Sequence, residues 1–362
     1  MDIDDRRGRV RMAGEDGRRG DAEQGLAEAA RAGDEAAFAT LTERYRREIQ
    51  LHCYRMLGSL EDAEDLVQET LLRAWRGRAT FEGRSTFRAW LYRIATNACL
   101  DALERRPRRV LPHHLRPPSD PSQPLPPRTD VPWLQPYPDL LLEGIAAGGD
   151  SPDGAVVARE TVELAFLAAL QHLPPRQRAV LVLRDVLGHP AGETAALLEA
   201  SVAAVNSALQ RARATLKEHL PQRRLDWAPT SGPTQGEREV LRRLMAAYER
   251  ADAAAVAGLL AEDARATMPP YPMWFQGRDP IVRALAESFD PASPNYQGRF
   301  RMVAVGANLQ PAVAAYVRRP SDEGYPAFGV SVLRIEAGLV VEFTAFGPEL
   351  FPAFGLPPEL DR

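Results

Sequence analysis

The chain has 362 residues, 45% of them hydrophobic and 26% charged, and a net charge of −4. That length suits two or three domains rather than one, and the apolar content is enough for packed cores and argues against wholesale disorder. No run of about 18 apolar residues exists, so no helical membrane span is expected. Cys53 and Cys99 are the only cysteines and have no Cys or His at metal-ligand spacing, which points to two buried thiols in a reducing cytoplasm and to no metal or other cofactor.

Residues 1–21 are dense in Asp, Glu, Arg and Gly and read as a mobile tail rather than a secretory signal. Residues 22–106 carry helical periodicity: Leu26, Ala29, Ala30, Phe38 and Leu41 open the run, and Tyr45, Ile49 and Tyr54 extend it to Leu57. Ser59, with Asp62 three residues on, gives a capping-box-like start to a helix whose inner side is Ala63, Leu66, Val67, Thr70, Leu71, Ala74 and Trp75. Glu61, Asp65, Gln68, Glu69 and Arg73 occupy its opposite side. A glycine- and arginine-rich loop follows from Arg76 to Ser85, too basic to be core. Ser85 is placed to cap a second helix with Phe87, Trp90, Leu91, Ile94 and Ala98 inward and Arg88, Tyr92, Arg93, Asn97 and Asp101 outward. From Arg73 to Arg109 ten arginines stand against Glu82, Asp101 and Glu104, a local positive field of the kind nucleic-acid contact requires.

The stretches from Asp62 to Thr70 and from Thr86 to Asn97 resemble region 2 of bacterial sigma-70-type transcription initiation factors, most of all the small extracytoplasmic-function group. The resemblance implies that Asp62, Asp65, Gln68, Glu69 and Arg73 dock on the β′ clamp helices of core RNA polymerase. It implies that the loop at 77–87 and the helix after it open the promoter −10 element. Phe81, Phe87, Tyr92 and Asn97 would then hold unstacked bases, and Arg84, Arg88, Arg93 and Arg105 the backbone. Two blander readings stay open. Phe87 is in register with Trp90 and Ile94 for core packing, and acids near a helix N-terminus also stabilise the helix dipole.

Between Pro107 and Pro152 lie twelve of the 31 prolines, which forbids regular elements and predicts an extended linker over 107–154. Trp133, Leu134 and Tyr137 within it need a surface to dock on. Residues 155–220 return to helix in short pieces. One starts with Val162, Phe166 and Leu170 and ends at Leu173, one runs from Arg176 to Leu187, and one from His189 to Glu199. Ser201 caps the last. The final pair has a helix-turn-helix layout with Val202, Val205 and Leu209 inward. Ser201, Ala203, Asn206, Ser207, Gln210, Arg211 and Arg213 then form a DNA-facing side, since Asn and Gln grip adenine edges and Arg takes guanine or phosphate. The start of this segment, from Leu173 to Leu181, resembles sigma region 4, which implies −35 recognition and docking on the polymerase β flap. Glu199 stands where the family often has Gly, and Thr194 where it has Ile or Val.

A second polar linker spans 221–236, and beyond it the pattern changes class. Residues 237–260 read as helical, 264–268 as a short strand and 280–289 as a helix. Strand-like runs follow at 300–305, 312–317, 328–335 and 339–346, with Gly338 in a hairpin turn. Helices followed by an antiparallel meander predict an α+β cone over 237–352. With Trp274 to Arg278 before a helix, it resembles the SnoaL-like (nuclear-transport-factor-2-like) fold. Met268, Trp274, Phe275, Tyr316 and Phe346 are candidates to line an apolar pocket for a small ligand, or to be ordinary core. All six histidines precede residue 220, which leaves Asp279, Glu336 and Glu342 as carboxylates for a catalytic reading. Asp279 is placed to cap a helix from Pro280, and Glu342 on its strand could point either way.

The expected protein is therefore multidomain: two all-α sigma domains, then an α+β cone, binding core RNA polymerase and promoter DNA in the cytoplasm without covalent chemistry of its own, its activity modulated by the cone. The rival reading is a helix-turn-helix regulator fused to a small-molecule-binding or catalytic cone.

Overall fold

The computed structural model describes residues 22–83, 85–121, 123, 127, 129–143, 145, 162–220 and 232–361. The expected tail, Arg84 and most of the second linker lie outside the described residues.

The first module is a helical bundle: α1 (22–32), α2 (Glu35–Glu43), α3 (Arg46–Leu57), α4 (Leu60–Arg76) and α5 (Phe87–Arg105). Its starts follow side-chain chemistry. Asp34 accepts from the amides of Ala36 and Ala37, and Ser59 accepts from that of Asp62 at 3.2 Å. Thr86, not Ser85, caps α5 by accepting from the Ala89 amide at 3.2 Å, because the helix begins at Phe87. Gly58 ends α3 with φ 71°, and a Cβ there would lie 2.7 Å from Leu134 of the linker. Cys53 and Cys99 are both buried, free thiols.

The described part of the proline-rich segment has the irregular path its composition predicts, yet it is fastened rather than loose. Val110 and Trp133 form a parallel bridge, and Trp133, Leu134 and Tyr137 are all buried. Gln135 reaches back to α4, where its Oε1 accepts from Ser59 Oγ at 2.9 Å and the Leu60 amide at 2.8 Å. The Tyr137 ring lies 4.6 Å from that of Tyr54 on α3. The region 2 bundle thus supplies part of the surface these apolar residues need.

The second helical module comprises α6 (Leu164–Leu170), α7 (Pro175–Leu181, continued by a π turn to Val186), α8 (Ala191–Leu197) and α9 (Val202–His219). It sits against the first: Arg178 of α7 is buried and donates to the Met56 carbonyl at the end of α3 and to Gln171 Oε1 at 2.9 Å.

In the cone, Thr234 and Glu237 form a capping box for α10 (Gln235–Glu249). Then come α11 (Ala253–Ala257), β1 (Leu260–Thr267), β2 (Trp274–Gln276), α12 (Arg278–Phe289), β3 (Arg299–Ala307), β4 (Gln310–Arg318), β5 (Tyr325–Glu336) and β6 (Leu339–Phe346). The sheet order is β2-β1-β6-β5-β4-β3, so the expected meander is present and β1 adds to it parallel to β6. A two-residue turn, Ala337 and Gly338 both at positive φ, joins β5 to β6. A 3-10 turn (Pro348–Phe354) and β7 (Glu359–Leu360) fold the chain's end back onto β5. Asp279 lies inside the first turn of α12, which has Gly277 and not a side chain at its N-cap.

Alternation along β4 divides the apolar mass in two. Val313, Ala315 and Val317 face the cone interior with Leu244, Ala247 and Leu333. Ala312, Ala314 and Tyr316 join the opposite cluster, which runs without a break through Val332 into α6, α7 and the region 2 bundle. The outer sheet face is packed against the helical modules.

Candidate polymerase and promoter interfaces

The acidic side of α4 is only partly open. Asp65 and Gln68 are exposed, and Glu69 pairs with Arg73 at 2.7 Å, which also reaches Asp101 at 2.7 Å. Asp62 is withdrawn from this face, because Arg106 at the end of α5 and Arg109 of the linker form ion pairs with it and Arg109 also donates to the Trp133 carbonyl at 2.7 Å. The apolar Leu72 is 49% exposed one turn beyond Gln68.

On the basic side, the side chains expected to hold bases separate into two groups. Phe87 and Tyr92 are buried, at 4% and 2% exposure, and cannot stack on a base in this arrangement. Phe87 packs between Phe81 and Trp90, with centroids 5.6 and 5.4 Å away. Tyr92 donates to Glu48 at 3.4 Å, and Arg88 pairs with the same carboxylate at 2.8 Å, its guanidinium 5.0 Å over the Tyr92 ring. The outward assignment of Tyr92 fails because α3 covers that side of α5 and His189 of the second helical module brings its ring to 6.2 Å from Tyr92. His52 of α3 has its ring 5.1 Å from Tyr92 and its Nε2 2.9 Å from Thr96 Oγ1. Burial, with Arg55 next, lowers the His52 pKa to about 3. Phe81, Arg93 and Asn97 are half-buried and Arg105 is exposed, so these keep access to solvent.

The α8–α9 pair has the expected geometry. Glu199 takes φ 50°, the left-handed turn a Gly would adopt freely, and Ser201 caps α9 by accepting from the Ala204 amide at 3.1 Å. Val205, Leu209 and Ala212 are buried, whereas Val202, expected inward, is 45% exposed because it stands in the first turn beyond the module's edge. Ser201, Ala203, Asn206, Gln210, Arg211 and Arg213 are exposed and Ser207 is half-buried. Ser207 Oγ accepts from Arg211 at 2.7 Å. Arg213 is engaged bidentately by Asp185, at 2.8 and 2.7 Å.

The five residues expected to line an apolar pocket do not come together in one place. Met268 and Phe275 belong to the cone interior, Tyr316 and Phe346 to the opposite sheet face, and the Trp274 indole donates to the Arg116 carbonyl of the linker at 2.8 Å. Strand alternation sends these residues to different sides. A cavity lies between the outer sheet face, the linker turn and the second helical module, lined by His113, His114, His172, His219, Arg265 and Glu342 among others. Glu342 bridges Arg265 and Arg334. Burial alone would raise its pKa, but the two arginines outweigh it and hold the carboxyl at about 2. A carboxylate so stabilised is a poor general base.

Family profiles for Sigma-70 region 2 and Sigma-70 region 4 match residues 41–109 and 163–216, and a SnoaL-like domain profile matches 241–343. The chain is 47% identical over 327 residues to the ECF RNA polymerase sigma factor SigG of Mycobacterium tuberculosis, covering 89% of this chain and 85% of SigG. The chain is an extracytoplasmic-function sigma factor. It is also 30% identical over 189 residues to SigW of Bacillus subtilis, covering 52% of this chain and 91% of that one. The crystal structure of the M. tuberculosis sigma factor SigJ superposes with a TM-score of 0.53 at 25% identity, covering 88% of this chain and all of SigJ. This sigma factor is thus a transcription initiation factor with a SnoaL-like domain added.

Sequence reasoning about the sigma factor missed the residues that join its parts. Asn308, at the tip of the β3–β4 hairpin, is fully buried. Its Nδ2 donates to Tyr54 Oη at 3.0 Å and to the Val162 carbonyl at 2.6 Å, and its Oδ1 accepts from the Tyr137 amide at 2.9 Å. The Asn308 amide donates back to the Tyr137 carbonyl at 2.9 Å. Next to it Leu309 donates to Asp139 at 2.8 Å, and Gln310 accepts from the Leu164 amide at 2.9 Å. One hairpin tip holds region 2, the linker and the start of region 4. Asn308 and Leu309 take φ 58° and 56° at this tip; an Asn between two strand-like runs is a turn signal in the sequence, but it does not say what the turn will touch.

Proposed function

We propose that this sigma factor docks on the β′ clamp helices of core polymerase through Asp65, Gln68, Glu69, Arg73 and the apolar Leu72, and on the β flap through region 4. Exposed Asn206, Gln210 and Arg211 of α9 read the −35 element, and Phe81, Asn97, Arg84, Arg93 and Arg105 act at the −10 element. In this reading residues 22–106 and 155–220 are separate working modules joined by 107–154, acting in the cytoplasm where core polymerase is found. Asp62, Glu69, Arg73, Arg88 and Arg213 are held in internal ion pairs and serve these contacts only if those pairs exchange. The cone acts by binding rather than catalysis: Glu342 is committed to two arginines.

The cone's task is to regulate. The observation that carries this is the buried grip of Asn308 on Tyr54, Tyr137 and Val162, which closes the cone over the linker and against region 2. A contact within one chain acts at roughly millimolar effective concentration, so a modest interface suffices to bias the placement of the DNA-binding modules. Run-off transcription by the full chain and by a chain ended after Leu225, across a range of core polymerase concentrations, tests this. The truncated chain should differ, and Trp133→Ala should reproduce part of the change. Identical transcription by all three would remove the regulatory role.

A further inference from the structure

Three stretches remote in sequence bring histidines to one place. His113 and His114 stand in the linker turn (Pro112–His114), His172 follows α6, and His219 ends α9. Ring centroids step 4.2 Å from His113 to His114, 5.1 Å on to His172 and 3.6 Å on to His219, the last pair stacked at 17°. The run lines a cavity of about 60 Å³ against the outer face of the cone sheet. None of these rings lies on the polymerase or DNA faces.

Hydrogen bonding requires two of the rings to be unprotonated at Nδ1. The Leu111 amide donates to Nδ1 of His114 at 3.2 Å, and Arg108, which can only donate, reaches Nδ1 of His172 at 3.1 Å. Nδ1 of His113 is buried with no hydrogen-bond partner among the described residues. The charges facing the run are mainly positive: Arg108 from the linker, Arg178 from α7 and Arg265 from β1. Glu342 of β6 is the carboxylate that faces it, already bridged to Arg265 and to Arg334, which carries Glu336 as well. Lys217 and Glu218, beside His219, are exposed. A proton added to the run gains little and breaks a hydrogen bond.

We propose that the histidine run is a proton-operated latch joining linker, region 4 and cone, shut while His113, His114 and His172 are neutral and released when those three take up protons, with the exposed His219 as the ring His172 stacks on. The proposal builds on the reading that cone closure regulates the sigma factor.

Burial, with Arg265 next, lowers His113 to about 3. Burial, with Arg108 next, lowers His114 and His172 to about 4. In an opened joint the rings regain the ordinary imidazole value of about 6.5. The closed form therefore binds fewer protons than the open one. Its stability is complete above about pH 6.5 and declines as pH falls below that. A ring so depressed shifts the open-to-closed ratio by up to about tenfold between pH 7.5 and 5.5, less for the more exposed His172, and rings in contact titrate together rather than multiplying independently. The cavity has room for the water that must enter as the joint loosens.

The test uses the full chain, small-angle scattering from pH 7.5 to 5.5, and circular dichroism on the same samples. The dichroism separates opening from loss of the region 2 helices, which the buried His52 would promote in acid. The wild type should expand across this range at constant helicity. The double variant His114→Asn with His172→Asn, whose amide oxygens accept the same hydrogen bonds but take no proton, should stay compact. Matching pH curves for the two chains, or a wild type that does not expand, would overturn the latch. If the double variant is already open at pH 7.5, histidine Cε1 proton titrations of the wild type decide. Midpoints of about 6.5 for His113, His114 and His172 overturn the proposal, and midpoints well below that uphold it. If acid opening does not move transcription by the full chain towards that of the chain ended after Leu225, the regulatory reading fails and the latch stands.

Discussion

Phe87 and Tyr92 show how a basic, aromatic stretch divides into residues that hold the fold and residues left to meet DNA. Both rings were candidates for base stacking, and both lie inside the bundle. Phe87→Ala should therefore destabilise the protein by ~3–5 kcal/mol in denaturant titrations, through lost burial and the cavity left behind. A variant of wild-type stability that failed only in promoter opening would return Phe87 to the DNA face. Asp65 and Glu69 have the opposite character. Reversing both charges, Asp65→Arg with Glu69→Arg, should abolish co-elution with core polymerase while the helical dichroism stays unchanged. Wild-type affinity in that variant would move the docking site elsewhere. Thr194 is buried, and its hydroxyl has no hydrogen-bond partner among the described residues. Thr194→Val should raise stability by about 1 kcal/mol, read as a higher denaturation midpoint, since an unsatisfied hydroxyl costs about that much.

At the scale of elements, α9 presents its readable edge to solvent with no other module over it. Gln210→Ala or Arg211→Ala should weaken binding to a −35 duplex by ~1–3 kcal/mol if a base edge is read. Asn97→Ala on α5 should leave duplex binding alone and slow strand opening, visible as weaker permanganate reactivity at the −10 element. Helices such as these were legible in the sequence because their apolar period and their caps are local signals: Ser59 before α4 and Ser201 before α9 act as their positions suggest. Errors fell where a neighbour decides. Tyr92 looks outward on a helical projection, but α3 lies against that side too, and Val202 is one turn too early to be covered. Between Ser85 and Thr86 local chemistry does not choose, since either hydroxyl can cap; the choice is settled by where the loop lets the backbone turn helical.

At the scale of the whole molecule, the three modules were visible as changes in composition, but their closure was not. Prolines announce an irregular path, and Trp133 and Tyr137 announce a need for cover, yet neither says which surface provides it. That depends on Asn308, 171 residues from Tyr137 in sequence. Asn308→Gly keeps the left-handed turn and deletes the three side-chain hydrogen bonds. It should loosen the linker, measured as faster amide exchange at Leu134 and Tyr137, with the cone's own strands unaffected. Unchanged exchange there would show that the hairpin tip is not the fastener. The sharing of β4 between two apolar interiors has a consequence for handling the protein in parts. Residues 232–361 made alone would carry Val303, Val305, Ala312, Ala314 and Val332 bare on one side of an otherwise complete sheet. Such a fragment should be poorly soluble and should self-associate as its concentration rises, so the domain that looks most self-sufficient in the sequence is the one least able to live apart from its neighbours.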